Sequence, residues 1–317
     1  MKQKKTHLAV FAVALAALVT FASLFARAGR GQSPVEEKAV APSVAQPLAL
    51  VERRTAAVAA EKKDVSLFAE AAARNTVLKY ELGWAFGGKQ QRGWYLYTPL
   101  ITRLLETEGE AAGSDFASAL SRWQTGAGLS PSGVLDDETL FRMVSAWQGA
   151  RLKNKEYATP DRLLQAPASD FYDPTRADAL RQVERETYAA YKRMVAAAAA
   201  DPSLGLRVTA EGELAPEEKF LKIISSFRSR EHQAHLRAQS PGSGRAGLAV
   251  NSPHFTGRAL DLYVGGEPVE TKDSNRALQV QTPAYRWLVR NAERFGFRPY
   301  YYEPWHWEYV GMNAEAK

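Results

Sequence analysis

The sequence contains no cysteine, which excludes disulfide bonds, thiolate metal ligands and a cysteine nucleophile. It has neither a His-Glu-x-x-His motif nor a Gly-x-Ser-x-Gly motif. The first absence excludes the helical zincin arrangement, and the second gives no support to a serine hydrolase. Any catalysis must therefore depend on carboxylates, histidines, serines or a metal ion.

A strong excess of one charge is also missing once the first residues are set aside. The formal net charge is +6, from 41 basic and 35 acidic side chains. Residues 1–28 hold four of the basic side chains and none of the acidic ones, which leaves 37 against 35, or +2. Domains that bind nucleic acid carry a larger, clustered basic excess. We therefore expect no nucleic-acid partner.

The beginning of the chain is typical of an export signal. Three lysines precede Leu8–Phe25, a stretch of 18 uncharged residues, which is the minimum length for a membrane span. Ala26-Arg27-Ala28 offers a small-x-small cleavage site. Residues 1–28 are predicted to be a signal peptide or an N-terminal anchor that holds residues 8–25 in the inner membrane. Either outcome exports the rest of the chain to the periplasm or cell envelope.

Two segments follow before any chemistry is evident. Residues 29–64, rich in Ala, Val, Pro and Gln, are predicted to be a linker. Residues 65–150 show helical periodicity: one helix carries Phe116, Leu120 and Trp123 on one face, and Asp136 can cap the next helix. We predict a small all-α domain here.

This helical segment resembles the small peptidoglycan-binding domains. The resemblance rests on an aromatic-Gln pair at a helix end, a Gly-Leu pair, a glycine turn and an Asp-x-x-Thr-Leu helix start, here Trp123-Gln124, Gly128-Leu129, Gly133 and Asp136–Leu140. It implies binding to the cell wall. The alternative is a helical packing domain that has no ligand.

Residues 151–175 contain three prolines and are predicted to connect the helical domain to a second domain at 176–317. In this domain the patterns predict a helix from Leu180 to Met194, strands over 221–227 and 259–264, a helix capped by Thr282, and a last strand over 305–310. Strands and helices that do not alternate regularly indicate the α+β class. We expect a small antiparallel sheet with flanking helices.

Two short clusters in the second domain hold the residues that carry chemistry. Ser252-Pro253-His254 is followed by Gly257 and Asp261, and Glu303-Pro304-Trp305-His306 comes some forty residues later. Two histidines and a carboxylate, with one coordination position left open, are what hydrolytic zinc requires. Glu303 is then a spare carboxylate. Pro304 interrupts the strand between Glu303 and His306, so both side chains can turn towards one metal.

The pattern Ser-x-His-x-x-Gly-x-Ala-x-Asp followed by Glu-x-Trp-His resembles the VanY-type zinc D-alanyl-D-alanine carboxypeptidases. VanX-type dipeptidases and some phage endolysins share this signature. Two further segments are similar to the family: Ser225–Ser229 with Gln233, and the helix from Trp287 to Phe297. The resemblance covers about 140 residues, from Arg176 to Gly311.

The resemblance implies a role for each matching residue. His254, Asp261 and His306 would bind Zn²⁺, and Glu303 would be the general base that passes a proton from water to the departing amine. Arg228 would stabilise the oxyanion or pair with the terminal carboxylate of the substrate. Ser252 and Gln233 would complete the substrate-binding set.

Some residues depart from the family pattern without touching a predicted ligand. Pro253 and Phe255 stand where Glu and Gln are common, Ser226 replaces Gly, and Phe227 replaces Tyr. The segment between Phe297 and Glu303 is short. These differences affect the expected substrate choice rather than the chemistry.

Two alternatives concern histidines and an arginine outside the main motif. His232 and His235 are three apart on a predicted helix and could suggest a second metal, but no carboxylate completes that site, so a solvated face is the better interpretation. Arg230 competes with Arg228 for the substrate role, and the motif favours Arg228.

The expected function is a metallopeptidase of the zinc D,D-carboxypeptidase type that removes terminal D-alanine from peptidoglycan stem peptides. One alternative is an endopeptidase that cuts within stems or cross-bridges. The other is a non-catalytic protein that binds the cell wall through residues 65–150. The sequence does not indicate an oligomeric state.

Overall fold

The computed structural model describes residues 53, 68–239 and 249–312. Those from residue 68 onward belong to one compact unit. The predicted signal or anchor over residues 1–28 lies outside the described residues, as does almost all of the predicted linker over residues 29–64. No helix within the described part of the chain is long and apolar enough to cross a bilayer.

The first part of the described chain consists of short helices and one β-hairpin, so the prediction that residues 65–150 are all-α is wrong at the hairpin. A helix over residues 68–81 (α1) is followed by strands β1 and β2, which pair antiparallel, and then by three helices. Their bounds are Gly83–Phe86 for β1, Lys89–Arg92 for β2, Thr98–Leu104 for α2, Ser114–Gly126 for α3 and Asp137–Gly149 for α4. The predicted cap of α4 is confirmed, because the Asp136 carboxylate accepts a hydrogen bond from Thr139 N at 2.9 Å.

The buried side chain of Gln124 holds the turn between α3 and α4. Its amide nitrogen donates to Val134 O at 3.0 Å, and its amide oxygen accepts from Gly133 N at 2.9 Å. Asn75 of α1 donates to Gly133 O at 2.8 Å. Gly133 has φ 67°, and a Cβ there would lie 2.8 Å from Ala117 O, so only glycine fits the turn.

The second part contains two antiparallel sheets. Strands β3 and β4 form a two-stranded sheet, and β5, β6, β8 and β7 lie side by side in that order in a four-stranded sheet. The bounds are Leu163–Gln165 for β3, Gln182–Glu184 for β4, Ile223–Ser225 for β5, Ala259–Leu262 for β6, Phe297–Tyr300 for β7 and Glu303–Tyr309 for β8. With its flanking helices this part is α+β, as predicted.

Four helices flank the sheets, and one of them begins later than the sequence predicts. They are Arg185–Ala199 (α5), Arg230–Gln239 (α6), Asp273–Gln279 (α7) and Pro283–Asn291 (α8). The predicted start of α5 at Leu180 is wrong. The Glu184 carboxylate accepts a hydrogen bond from Thr187 N at 2.9 Å and thereby caps the helix, while Val183 pairs with β3. The predicted cap of α8 is confirmed by a 3.2 Å bond from Tyr285 N to Thr282 Oγ1.

All three predicted strands change their bounds, and the one predicted over 259–264 ends at Leu262. The strand predicted over 221–227 is shorter, because Leu221 has φ 66° and Phe227 N leaves the ladder to donate to Gln182 O at 3.0 Å. The last strand begins at Glu303 rather than at Trp305. Pro304 is therefore inside the strand, which the sequence did not predict.

One apolar core runs through both parts of the fold. Its contacts between them include Tyr301, whose ring centroid lies 5.7 Å from that of Phe86 and 5.5 Å from that of Tyr97. Burial of aromatic rings is a large favourable contribution to stability. The helical part is therefore packed directly on the loop that joins β7 to β8.

Candidate active site

Three separate elements bring His254, Asp261 and His306 together. One potential ligand atom of each residue lies within 4.8 Å of the others, and all three side chains are buried. Asp261 Oδ1 lies 3.3 Å from His254 Nε2 and 2.9 Å from His306 Nδ1. Asp261 and His306 are cross-strand partners on β6 and β8, so the sheet register itself places them side by side.

His254 reaches this group from a short helical turn over Pro253–Thr256. Ser252 caps the turn by accepting a bond from His254 N at 3.3 Å, and Gly257 ends it with φ 68°. A Cβ on Gly257 would lie 3.0 Å from Glu184 N, so this tight approach to β4 requires glycine. The turn is thereby held against the sheet, and His254 is fixed over it.

The second ring nitrogen of each histidine is already occupied. His254 Nδ1 lies 2.7 Å from Ser226 O, to which it can only donate. His306 Nε2 lies 3.1 Å from Glu308 Oε1. These partners leave His254 Nε2 and His306 Nδ1, the ring nitrogens that face Asp261, as the atoms that would bind a metal once His306 Nδ1 has given up its proton, and support of the other nitrogen is usual in metal-binding histidines. The donor set and its orientation therefore fit a zinc ion.

A break in strand register puts Glu303 on the same side as His306. Pro299 pairs with Trp307, but Tyr300 pairs with Glu303, so the first residues of β8 bulge out of the regular ladder. The Glu303 carboxylate and the His306 imidazole line the same cavity. Burial raises the pKa of Glu303 to about 7, with a further rise from the charge of Asp261.

The charges around the cluster move the histidine and aspartate pKa values in different directions. Burial, assisted by Arg228, lowers the pKa of His254 to about 4. Burial opposes the charge on His306 as well, but hydrogen bonds to Asp261 and Glu308 raise its pKa to about 9. Burial also opposes ionisation of Asp261, yet His254 and Arg228 hold its pKa well below the usual range. Asp261 is therefore a carboxylate.

Arg228 contacts the metal-ligand cluster directly. Its guanidinium Nη2 lies 2.5 Å from Asp261 Oδ2, and its Nε donates to Ser225 Oγ at 2.9 Å. Gln233 lies behind it, accepting from Arg228 Nη1 at 3.4 Å and donating to Ala249 O at 3.0 Å. Gln233 thus supports Arg228, whereas Ser252 is on the cavity wall.

Sequence reasoning missed Glu308 and the residues that hold it. Glu308 is buried two residues beyond His306, where strand periodicity places it on the same face, so this spacing was the available signal. Its carboxylate accepts from Leu152 N at 2.9 Å and pairs with Arg151. Burial opposes its charge, but His306 and Arg151 lower its pKa to about 2. The segment after α4 therefore supports a predicted metal ligand.

The cluster opens onto a cavity of about 640 Å³. The three predicted ligands, Glu303 and Arg228 all line it. His232 lies on its wall too, but His254, Asp261 and His306 are the one group in the described part of the chain that could hold a metal. The alternative of a second site at His232 and His235 gains no support.

Two histidines and an aspartate, held by an antiparallel sheet and the helical turn beside it, next to a buried glutamate fit a hydrolase of the metallopeptidase class. Residues 180–312 match the family model described as VanY: D-alanyl-D-alanine carboxypeptidase. This part of the chain is a VanY-family D-alanyl-D-alanine carboxypeptidase domain, and the family is zinc-dependent. The match does not extend to the helical part. No curated protein matches the chain.

Proposed function

We propose that the protein is an exported zinc D,D-carboxypeptidase that removes the terminal D-alanine from peptidoglycan stem peptides. The observation that carries this proposal is the buried His254, Asp261 and His306 cluster with Glu303 in the same cavity. The family match supports the D-alanyl-D-alanine substrate. Export is supported by residues 1–28, in which lysines are followed by an uncharged stretch and then by a small-x-small cleavage site.

Glu303 acts as the proton carrier of the reaction. A zinc ion held by His254, Asp261 and His306 supplies Lewis-acid activation. The Glu303 carboxylate takes a proton from the attacking water, whose oxygen adds to the scissile carbonyl carbon. It returns that proton to the amine of D-alanine as the carbon–nitrogen bond breaks. A single carboxylate that lines the same cavity as the three ligands can serve both proton transfers.

Arg228 is the candidate for the group that faces negative charge on the substrate. Its guanidinium lies against Asp261 and on the cavity wall, so it is close to the position where a carbonyl oxygen gains charge. Fixed positive charge at such a position is a large catalytic contribution. Gln233 keeps Arg228 oriented, and Ser252 contacts the substrate from the cavity wall.

The helical part has a separate proposed role in binding the cell wall. This rests on the resemblance of residues 65–150 to peptidoglycan-binding domains. The residues of that signature, Gln124 and Gly133, form the turn that joins α3 to α4. A pull-down with insoluble peptidoglycan tests it, with the full chain compared to a variant carrying charge reversals on the exposed face of α4. Equal retention of both would contradict a wall-binding face there.

The enzymatic proposal is tested by product analysis with the full chain. Zinc-loaded protein incubated with stem pentapeptide is expected to release free D-alanine, and a chelator is expected to stop the release. Glu303→Gln is expected to lower the rate at least about 100-fold while one zinc per chain is retained. Undiminished release by Glu303→Gln would contradict the role of this carboxylate.

The two alternatives give different products. An endopeptidase would release peptide fragments from digested wall material in place of free D-alanine, which mass analysis distinguishes. A non-catalytic wall-binding protein would bind insoluble peptidoglycan and release neither product. The complete set of ligands and Glu303 argues against the non-catalytic alternative, and the family match supports the carboxypeptidase.

A further inference from the structure

Charged side chains form a continuous row of contacts along the metal-ligand cluster. Arg228 contacts Asp261, Asp261 contacts His306, His306 contacts Glu308, and Glu308 contacts Arg151. Acidic and basic side chains therefore alternate along the row. Each of its two outer arginines is already paired with a carboxylate.

A further cation lies near each end of this row. Arg176 is close enough to Arg228 and Asp261 to feel their charges, and Lys155 is similarly close to Arg151 and Glu308. Both side chains line the cavity. Neither forms an ion pair with a carboxylate of the residues that the structure describes. Both are also partly withdrawn from water, so their charges are poorly compensated.

The cavity therefore holds more positive charge than a simple substrate would balance. Its wall carries four cationic side chains, Arg151, Lys155, Arg176 and Arg228, against two carboxylates, Asp261 and Glu303, and a zinc ion would add two further positive charges. A peptide whose single negative charge is its terminal carboxylate can compensate the cation at one end of the row. The cation at the other end then has no partner on the substrate. Complementary charge on a substrate is favoured where the wall is partly desolvated.

The two ends differ in their relation to the proposed reaction. The Arg176 end adjoins Arg228, which the proposed function assigns to the oxyanion or the terminal carboxylate. The Lys155 end belongs to the segment after α4, outside the 180–312 family match. It is therefore a feature of this chain that the family match does not describe, and it is available for the part of the substrate that remains after cleavage.

We propose that Lys155, supported by Arg151, forms a subsite for a carboxylate on the side chain of the residue that precedes D-alanyl-D-alanine. The inference rests on the proposed function for the position of the scissile bond. The substrates would be peptides with an acidic residue at that position, including stems in which it is a diamino diacid. Peptides with lysine at that position would meet repulsion.

The test uses three N-acetylated peptides, Glu-D-Ala-D-Ala, Gln-D-Ala-D-Ala and Lys-D-Ala-D-Ala. Their affinities are measured by calorimetry with the zinc-loaded full chain carrying Glu303→Gln, so that no turnover is needed. We expect the Glu peptide to bind about tenfold more tightly than the Lys peptide. Adding Lys155→Met should reduce this ratio to near one, and adding Lys155→Glu should reverse it.

Lys153→Met is the matched control, because Lys153 is exposed and is not on the cavity wall. It should retain the wild-type ratio. Equal affinity for the Glu and Lys peptides, or an unchanged ratio in Lys155→Met, would overturn the subsite. D-alanine release from the same peptides by protein with intact Glu303 is followed in parallel. Its absence from all three would contradict the proposed function, while the binding ratio would still decide the subsite.

Discussion

The helical part buries neutral polar side chains, whereas the carboxypeptidase domain buries charged ones as well as neutral ones. Among the described residues up to 150, the buried polar side chains are neutral: Asn75, Gln124 and Thr139. They bond to one another or to nearby backbone and complete a turn. The carboxypeptidase domain instead buries Asp261, Glu303 and Glu308 with histidines and arginines around one cavity.

This difference separates a polar network that stabilises the fold from one that serves chemistry. Neutral groups that satisfy each other's hydrogen bonds stabilise a turn. Buried charges are costly unless they are paired or bind a metal. The charged cluster is therefore the place where binding energy can be gained, and substitutions in the two regions should affect different measurements.

The largest effect is expected from removing a metal ligand. His306→Ala leaves two of the three proposed ligands, so zinc affinity should fall more than about 100-fold. This loss exceeds the fall in affinity that follows when a residue supporting a ligand is removed. Competition with a chromophoric chelator measures the affinity, and circular dichroism checks that the variant is folded. His235→Ala, a change at an exposed histidine of α6, should bind zinc as the wild type does. Wild-type affinity in His306→Ala would contradict the assignment.

A substitution in the neutral network should affect stability alone. Gln124→Ala leaves Gly133 N and Val134 O without their partner, which should lower the free energy of unfolding by about 2–3 kcal/mol. Urea unfolding measures this, with the exposed Gln90→Ala as a control that should change little. The zinc affinity of Gln124→Ala should equal that of wild type. A large drop would show that metal binding depends on the neutral network of the helical part.

Glu303 should destabilise the metal-free protein as the pH rises. Its folded-state pKa of about 7 lies above its ordinary value of 4.5, so its contribution to stability is complete below pH 4.5 and is lost as the pH rises through 7. The free energy of unfolding of Glu303→Gln at pH 7 should therefore exceed that of wild type by about 3 kcal/mol, and the two should approach each other near pH 4.5. Both proteins are measured in the presence of chelator. If their free energies of unfolding changed with pH in the same way, the prediction would be contradicted.

The smallest effect tests an arginine that joins the two regions. Arg151 follows α4 and pairs with Glu308, which in turn bonds to His306. Arg151→Ala should weaken zinc binding about tenfold, as is usual when a group that orients a ligand is lost. Arg142→Ala, at an exposed position on α4, should have no effect. Equal affinities for the two variants would mean that Glu308 does not need Arg151.

The predicted ligands could be found from sequence because motif spacing and residue type are sufficient to suggest a metal site. His254, Asp261 and His306 converge in the structure, and the α+β class followed from the irregular order of strands and helices. Helix caps at Asp136 and Thr282 were predictable because they depend on a local side-chain bond.

What could not be predicted depends on contacts between distant residues. The start of α5 was misplaced because pairing of Val183 with β3 overrides the apolar periodicity. The bulge at Glu303 depends on the register between β7 and β8. Arg151 and Leu152 both bond to Glu308, which lies more than 150 positions later in the sequence. No local pattern indicates such a contact.

The central claim is that the buried cluster binds the metal on which carboxypeptidase activity depends. The most direct test is to titrate the metal-free full chain with zinc and to measure, at each point, bound zinc and D-alanine release from stem pentapeptide. We predict that the rate rises in proportion to bound zinc and stops rising at one ion per chain. D-alanine release that does not change with bound zinc, or that is absent when one ion is bound, would contradict the claim.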